Sequence, residues 1–404
     1  MHHLHRLPKQ LSVRFALALA TALLIAPTAF SQQPAGNLIT GPKPGPITPP
    51  SSAELEGAIV RGVTFLLDIQ NKNGSWGSAQ RTKQLNIYAP VPGAHYGLRA
   101  AVTALAVSAL IESNDQRDVV QTAIGRGQGW LFANLKLVRR SNGDMIYNVW
   151  THAYAIQALV QLAERHPDNA VEQEKIARLI DLQIDYLGRY ASVDGGWGYY
   201  DFNTQTQRPG SSSICFTSAA ILVALHEAQA YGAKVPQEMI DKANDSIRRQ
   251  RAPDFCYLYG EYLKYVPMAP INRPPGSLGR SQACNLATRL YGDKLVTDHV
   301  IKTWLDRLFS RNSWLSFGRK TPIPHESFAQ VAGYFYYFGH YYAARCIEVL
   351  PADEQPYFKE HLAHIIIPLQ EKNGCWWDYP LYNYHETYGT AMAISTLVRC
   401  RNTP

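Results

Sequence analysis

The sequence has no Gly-x-Ser-x-Gly elbow, no phosphate-binding loop and no His-Glu-x-x-His motif. That removes the hydrolase, nucleotide and zinc-protease chemistries those motifs carry. Charge is sparse, with 18% of the 404 residues being Asp, Glu, Lys or Arg. Three of the cations behind the formal net charge of +7 (Arg6, Lys9 and Arg14) lie in an N-terminal stretch without acids. Without them, 36 basic side chains stand against 32 acidic ones, too balanced and too dispersed for a nucleic-acid partner. Cysteine is limited to six residues, none in a Cys-x-x-Cys pair, so no redox or zinc-ribbon motif is present. Gly 28 and Pro 25 are ordinary for this length, and 46% hydrophobic content excludes a disordered chain.

The N-terminus reads as an export signal. A basic start precedes the apolar run Phe15–Ile25, and Ala29-Phe30-Ser31 places small residues where a signal peptidase cuts. Residues 1–31 are then a leader, and residues 32–50, rich in Pro and Gly, an extended linker without a core. No later run of 18 residues is expected to cross a membrane. Residues 51–404, about 350 in all, form the folded part of an exported protein. That is large for one compact core, which points to repeats.

Three segments share a pattern: 62–77, 179–202 and 361–380. Each is an amphipathic helix, a turn carrying Asn-Gly or Asp-Gly, and a tryptophan (Trp76, Trp197, Trp376). The glycine ends the helix because the turn needs positive φ. A second helix rich in Ala, Ser and Thr follows, and its small residues suit close burial. Such second helices are expected to start near residues 95, 151, 213, 277, 325 and 385. Amphipathic helices alternate with them, over Asp118–Leu137, Pro236–Arg249, Leu295–Phe309 and Gln355–Gln370. Six such pairs predict an all-α, (α/α)6 toroid, with buried helices inside and amphipathic ones outside.

IQNKNGSWG, VDGGWG and LQEKNGCWW resemble the glutamine–tryptophan repeat of the prenyltransferase and squalene-cyclase superfamily. Gln70 with Trp76 and Gln370 with Trp376 match it, whereas the copy with Trp197 has no matching glutamine. The resemblance covers about residues 53–400 and implies a toroid with a central cavity for an isoprenoid or other apolar ligand. The Asp-x-Asp-Asp acid of its triterpene cyclases is absent. Tyr384-His385-Glu386-Thr387 resembles the zinc-ligand segment of its prenyltransferases, but no Asp-x-Cys partner precedes it.

His-Glu-Ser/Thr occurs twice, at 325–327 and 385–387, each expected to open an inner helix. In a ring, inner-helix starts share one end, so these groups and His95 and His152 are expected at the cavity mouth. His325 and His385 are candidate ligands of a divalent metal such as zinc, with Glu326 or Glu386 completing the site. Asp201, Glu326, Asp378 and Glu386 are candidate catalytic carboxylates. Tyr199, Tyr200, Tyr259, Trp314, Trp377 and Tyr379 are candidate ligand contacts, since aromatic faces hold apolar chains, sugars or cations. The Tyr- and Pro-rich stretch 253–275 departs most from the repeat, and its pattern leaves open a lid over the cavity or a packed surface loop without a ligand. Cys346 with Cys400, and Cys256 with Cys284, are geometrically possible disulfides. The residue pattern leaves three functions open: binding or transforming an isoprenoid or other apolar molecule, a non-catalytic domain docking a protein partner, and a carbohydrate-active hydrolase or lyase.

Overall fold

The computed structural model describes residues 39–85, 87–141, 148–199, 213–325, 328 and 330–401. Among them are thirteen α-helices and no strand, only isolated bridges. Six helices line the inside: α2 (Pro92–Ser113), α4 (Asn148–Arg165), α6 (Cys215–Tyr231), α8 (Pro274–Leu290), α11 (Phe335–Glu348) and α13 (His385–Arg399). Six lie outside: α1 (Ser52–Asp68), α3 (Asp118–Asn134), α5 (Ala170–Tyr190), α7 (Gln237–Arg249), α9 (Asp298–Ser310) and α12 (Gln355–Ile366). The thirteenth, α10 (Asn312–Ser316), is a single turn after α9.

Local chemistry sets these elements. Ser51 caps α1: its Oγ accepts the Glu54 amide at 3.2 Å, and the Glu54 carboxylate accepts the Ser51 amide at 2.8 Å. Outer helix α7 buries one face, through Ile240, Ala243 and Ile247. Inner helix α6 is buried on every side from Cys215 to Leu225. Glycine lets inner helices approach: the Cα atoms of Gly279 on α8 and Gly339 on α11 face each other, and a Cβ on either would collide with the other chain. The inner helices pack in sequence, α2 on α4, α4 on α6, α6 on α8, α8 on α11 and α11 on α13. Helix α13 then packs on α2, so the ring closes. The chain is an all-α (α/α)6 toroid.

The tryptophan turns hold the two layers together. Indole Nε1 of Trp76, Trp197 and Trp376 donates to the carbonyls of Leu66, Leu187 and Ile366 at 2.8, 2.9 and 3.0 Å. Those carbonyls lie in the last turns of the outer helices, where intrahelical partners run out; Leu187 O is shared, since it also accepts the Ala191 amide at 2.9 Å. The Trp backbone amide donates to an inner-helix hydroxyl each time: Thr103 Oγ1, Ser218 Oγ and Thr390 Oγ1. The ring then presses on the next outer helix, Trp76 against Gly127 and Trp376 against Gly62. Gln70 and Gln370 reach the same neighbours, donating to Ala123 O at 2.9 Å and Ala58 O at 3.0 Å. The latter bond ties the last turn to the first helix.

Four expectations are corrected. The fifth inner helix starts at Phe335, not near 325. Residues Lys320, His325 and Gln330 have φ of 67°, 62° and 49°, which a right-handed helix does not allow. The linker is not coreless throughout, because Ile39 is buried and His299 Nε2 donates to its carbonyl at 3.0 Å. Helix α2 is long and apolar enough by composition to cross a membrane, yet it is mostly buried in the ring. All six cysteines are free thiols, so neither Cys346–Cys400 nor Cys256–Cys284 is bonded.

Trp376→Ala removes the indole bond, the contact with Gly62 and a wholly buried ring. It is expected to cost ~3–5 kcal/mol of unfolding free energy in urea. Trp314→Ala, at a side chain that is 45% exposed, should cost under ~0.5 kcal/mol. Equal losses at the two sites would refute the staple.

Candidate functional site

The N-terminal halves of five inner helices converge on one cavity. It is lined by Leu98, Ala101 and Val102 of α2, Trp150 and Tyr154 of α4, and Phe216 of α6. Tyr334, Phe335 and Phe338 come from the start of α11, and Tyr384, His385 and Tyr388 from α13. Asp378, Tyr379 and Leu381 come from the turn before α13. Where a helix supplies more than one residue, they are spaced i, i+3 or i, i+4, as one helical face requires. The cavity volume is about 90 Å³. Its lining is overwhelmingly apolar, and rings meet at close range: Phe216 and Phe335 edge to face at 4.9 Å, Trp150 stacked on Tyr199 at 5.5 Å.

Asp378 is the acid of this cavity. It is 1% exposed, and burial pushes its carboxyl up from 3.8 to about 7. Oδ2 accepts the Tyr337 amide at 3.0 Å, while Oδ1 has no hydrogen-bond partner. The backbone holds the residue from the other side: the Lys320 amide donates to its carbonyl, and Gly333 packs against it. A carboxyl in such a place is half-protonated near neutral pH and can donate.

His385 is the second polar group on the wall. Its Nδ1 lies 2.7 Å from Tyr382 O, and a carbonyl only accepts, so Nδ1 carries the proton. Burial lowers its pKa to about 4, so the ring is neutral and Nε2 presents a lone pair. No hydrogen bond reaches Nε2, and Glu386 Oε1 is 3.8 Å away. Trp377 packs edge-on to this imidazole at 5.2 Å, and Lys83 and Lys320 each sit 4.8 Å from its ring centre. Glu386 is partly exposed and pairs with Lys83 at 3.8 Å.

A hydrogen-bonded chain starts at the wall residue Tyr334. His325 Nδ1 donates to Gln330 O at 2.6 Å, so Nε2 must accept from Tyr334 Oη, at 2.8 Å. Tyr334 Oη in turn accepts from Tyr259 Oη at 3.0 Å, and Tyr259 accepts from Tyr199. Every proton in the chain therefore points toward His325. Burial lowers the His325 pKa.

The remaining expectations divide. His95 flanks the wall: its Nε2 donates to Ala89 O, and its Nδ1 accepts from Tyr384 Oη, both at 3.1 Å. His152 does not reach the cavity. It is buried between α4 and α5, donating from Nδ1 to Gln183 Oε1 at 2.7 Å. Trp314 is exposed on α10, under Arg311, and lines no part of the cavity. Tyr200, Asp201 and Glu326 lie outside the described residues. Among the described residues no three His, Cys, Asp or Glu side chains meet as a metal site. Both His325 nitrogens are already hydrogen-bonded, so only His385 Nε2 offers a lone pair to a metal. In the 253–275 stretch, Tyr259 joins the chain, but Tyr257 is buried on Asn285 and Glu261 is taken by Arg249 at 2.6 Å. Trp150, Phe216, Phe335, Phe338 and Tyr388 carry most of the wall and have no motif. For Trp150, Phe216 and Tyr388 the one sequence signal is a large ring on a helix rich in small residues, whereas Phe335 and Phe338 sit among the other aromatics of α11.

No protein-family model matches the sequence, and no curated protein is significantly similar to it. Solved structures are similar in fold. The GH76A alpha-1,6-mannanase from Salegentibacter sp. HEL1_6 aligns over 85% of this chain and 99% of its own, at 12% identity and a TM-score of 0.52. An inactive variant of it, with two successive aspartates changed to asparagine and alpha-1,6-mannotriose bound, aligns over the same shares at 11% identity and 0.53. A novel alpha-amylase from Clostridium perfringens aligns over 86% and 98%, at 12% identity and 0.51. What these chains share is the toroid. At such identities the likeness reaches the fold and stops there.

Asp378→Asn keeps the shape and removes the titration. Between pH 3.8 and about 7 the native acid holds a proton that the unfolded chain has released. It therefore makes wild-type stability fall as pH rises through that window. His152, His340 and His385, lowered to about 4, act in the opposite direction below 6.5. The comparison of variant with wild type isolates the acid. In urea titrations the variant should gain on wild type from pH 4 to pH 8 by on the order of 4 kcal/mol. A difference that does not move with pH rejects a raised Asp378 pKa.

Proposed function

We propose that the toroid takes one end of an apolar small molecule, an isoprenoid by class, into its aromatic cavity, and that Asp378 protonates it there. The observation that carries this reading is the buried Asp378 carboxyl, with an unpartnered Oδ1, on an otherwise apolar and aromatic wall. The chemistry balances. The Asp378 O–H bond breaks, the proton adds to one carbon of an alkene, and the adjacent carbon becomes a cation. The faces of Trp150, Phe216, Phe335 and Tyr388 offer that cation its only stabilisation short of water. Loss of a proton from a neighbouring carbon to His385 Nε2 restores an alkene, and solvent returns the proton to Asp378. The net reaction is an isomerisation. At about 90 Å³ the cavity is below the ~300–1,000 Å³ of sites that enclose a drug-sized ligand, so it suits a branched chain end. We place the protein outside the cell, because its first 31 residues have the make-up of a leader.

The fold likeness to a mannanase and an amylase favours a second reading, a carbohydrate-active enzyme. Glycoside hydrolysis in most families needs two carboxyl groups flanking the bond. Among the described residues Asp378 alone supplies one to the cavity wall. The sequence has no two successive aspartates of the kind changed in the inactive mannanase.

Isoprenoid alcohols and squalene are the substrates to incubate with wild type and Asp378→Asn, with products read by gas chromatography and mass spectrometry. Conversion should fall at least ~100-fold in the variant, the usual worth of a general acid. Equal conversion by both proteins rejects the acid. Binding of alpha-1,6-manno-oligosaccharides, with no retained apolar mass in native mass spectrometry, moves the assignment to the second reading. N-terminal sequencing of protein recovered from the medium or periplasm should begin at Gln32, and a chain retained in the cell with its leader intact rejects export.

A further inference from the structure

Exposed apolar side chains are not spread evenly over this molecule. Of the seventeen large ones among the described residues, eight fall in two short segments, 262–268 and 314–328. They include all three that exceed 80% exposure: Tyr265 at 83%, Met268 at 86% and Phe328 at 83%. Folding leaves these side chains in water although the ring has a large core to receive others. Arg273, five residues beyond the first segment, reaches the second. The Arg273 guanidinium lies 3.7 Å over the Phe328 ring and donates from Nη1 to Phe328 O at 2.7 Å. Met268, Arg273 and Arg311 line one hollow of about 440 Å³ between the 252–274 loop and the end of α9. Arg311 in turn covers the exposed Trp314 at 5.0 Å.

Basic side chains outnumber acidic ones on these segments, although Lys264 is paired with Glu261 and Lys320 with Glu371. Segments 261–273 and 311–330 hold five basic side chains against two acidic ones. Of the two acids, Glu261 is buried and already paired with Arg249 and Lys264. Arg307 in the hollow is neutralised by Asp254 at 3.0 Å. Arg273 and Arg311 form no ion pair among the described residues, and each instead lies on an aromatic ring. Rings and a methionine that water surrounds, with Arg273 and Arg311 left without an ion pair among the described residues, match the boundary between lipid headgroups and acyl chains. A protein surface of opposite charge would call for the cations but not for the apolar tips.

We propose that the loops carrying Tyr265, Met268 and Phe328 form a docking surface for an anionic phospholipid bilayer. The apolar tips enter the interface, and Arg273 and Arg311 meet lipid phosphates. The surface does not depend on what the cavity binds.

The test is sedimentation of the purified protein with vesicles of phosphatidylcholine alone, and of phosphatidylcholine with phosphatidylglycerol at a ratio of about 7:3, where juxtamembrane cations gain most. Binding to the anionic vesicles should be at least ten-fold stronger than to the neutral ones and should fall in high salt. The double variant Arg273→Gln/Arg311→Gln should lose the preference for anionic lipid. Met268→Asp/Phe328→Asp should lose binding to both, with thermal unfolding unchanged because those side chains pack on little. No binding to anionic vesicles overturns the proposal, as does binding that both double variants retain. So does a concentration-dependent dimer without lipid that Met268→Asp/Phe328→Asp abolishes, since the face would then be covered by a second copy.

Discussion

The rest of the toroid depends on a hydrogen bond from an indole to the end of the helix before it. An outer helix leaves its last carbonyls without partners, and the next residues must turn inward. Trp76, Trp197 and Trp376 answer both needs. The indole N–H satisfies a terminal carbonyl and the backbone amide finds a hydroxyl on an inner helix, and the rings of Trp76 and Trp376 also lie on the next outer helix. One residue thus fixes the spacing between layers and the step around the ring. Where Gly62 and Gly127 receive the ring, a side chain would stand in its place. The last of these turns acts on the first helix, so closure uses the same device as repetition.

The acid belongs to that closing turn. Asp378 follows Trp376 by two residues, so the staple that closes the ring also places the carboxyl. Lys320, Gly333 and Tyr337 then close over it. The Lys320 amide binds the Asp378 carbonyl, Gly333 packs on it, and the Tyr337 amide binds the carboxylate. This cover explains two departures from the repeat. The fifth inner helix begins ten residues late because its expected first turns are spent on the cover. His325 takes positive φ because a right-handed helical turn there would carry the chain away from Tyr334. Water is kept from one side of Asp378 by this loop and from the other by aromatic rings, and dryness is what raises its pKa.

Much of the fold was legible because it is written in repeated local chemistry. Asn-Gly before tryptophan, small residues on alternate helices and charge on the others gave the six pairs. What was missed is where long-range contact overrides a local pattern. Pro322 and Pro324 argue against a helix at 325, but His-Glu-Ser reads like the true helix start at His385. Helix α2 reads as a membrane span because burial in a protein and burial in lipid select the same residues. The site was half legible. Asp378 and His385 stood out as polar groups near tryptophans and helix starts, whereas His152 shares their register but turns toward Gln183 on the outer layer. A start position does not reveal which face of the helix a residue occupies.

The two ends of the ring are built on opposite principles. At the far end of the inner helices Glu112 pairs with Arg399 at 2.8 Å, Arg399 with Glu348 at 3.2 Å, and Arg345 with Glu227 at 2.7 Å. These pairs join α2, α13, α11 and α6, and Gln157 of α4 donates to Glu227 at 3.1 Å. Buried ion pairs add little net stability, because desolvation offsets their attraction. Their value here is positional: paired charges fix the ends of α2, α6, α11 and α13 against one another. The cavity end has the reverse composition, rings with one acid and one imidazole. Paired charges at one end and a dry wall at the other make Asp378 the one carboxyl of the cavity wall, among the described residues, and let it keep its proton toward neutral pH. That follows from placement alone, since the same aspartate at the charged end, beside Arg345 or Arg399, would stay ionised.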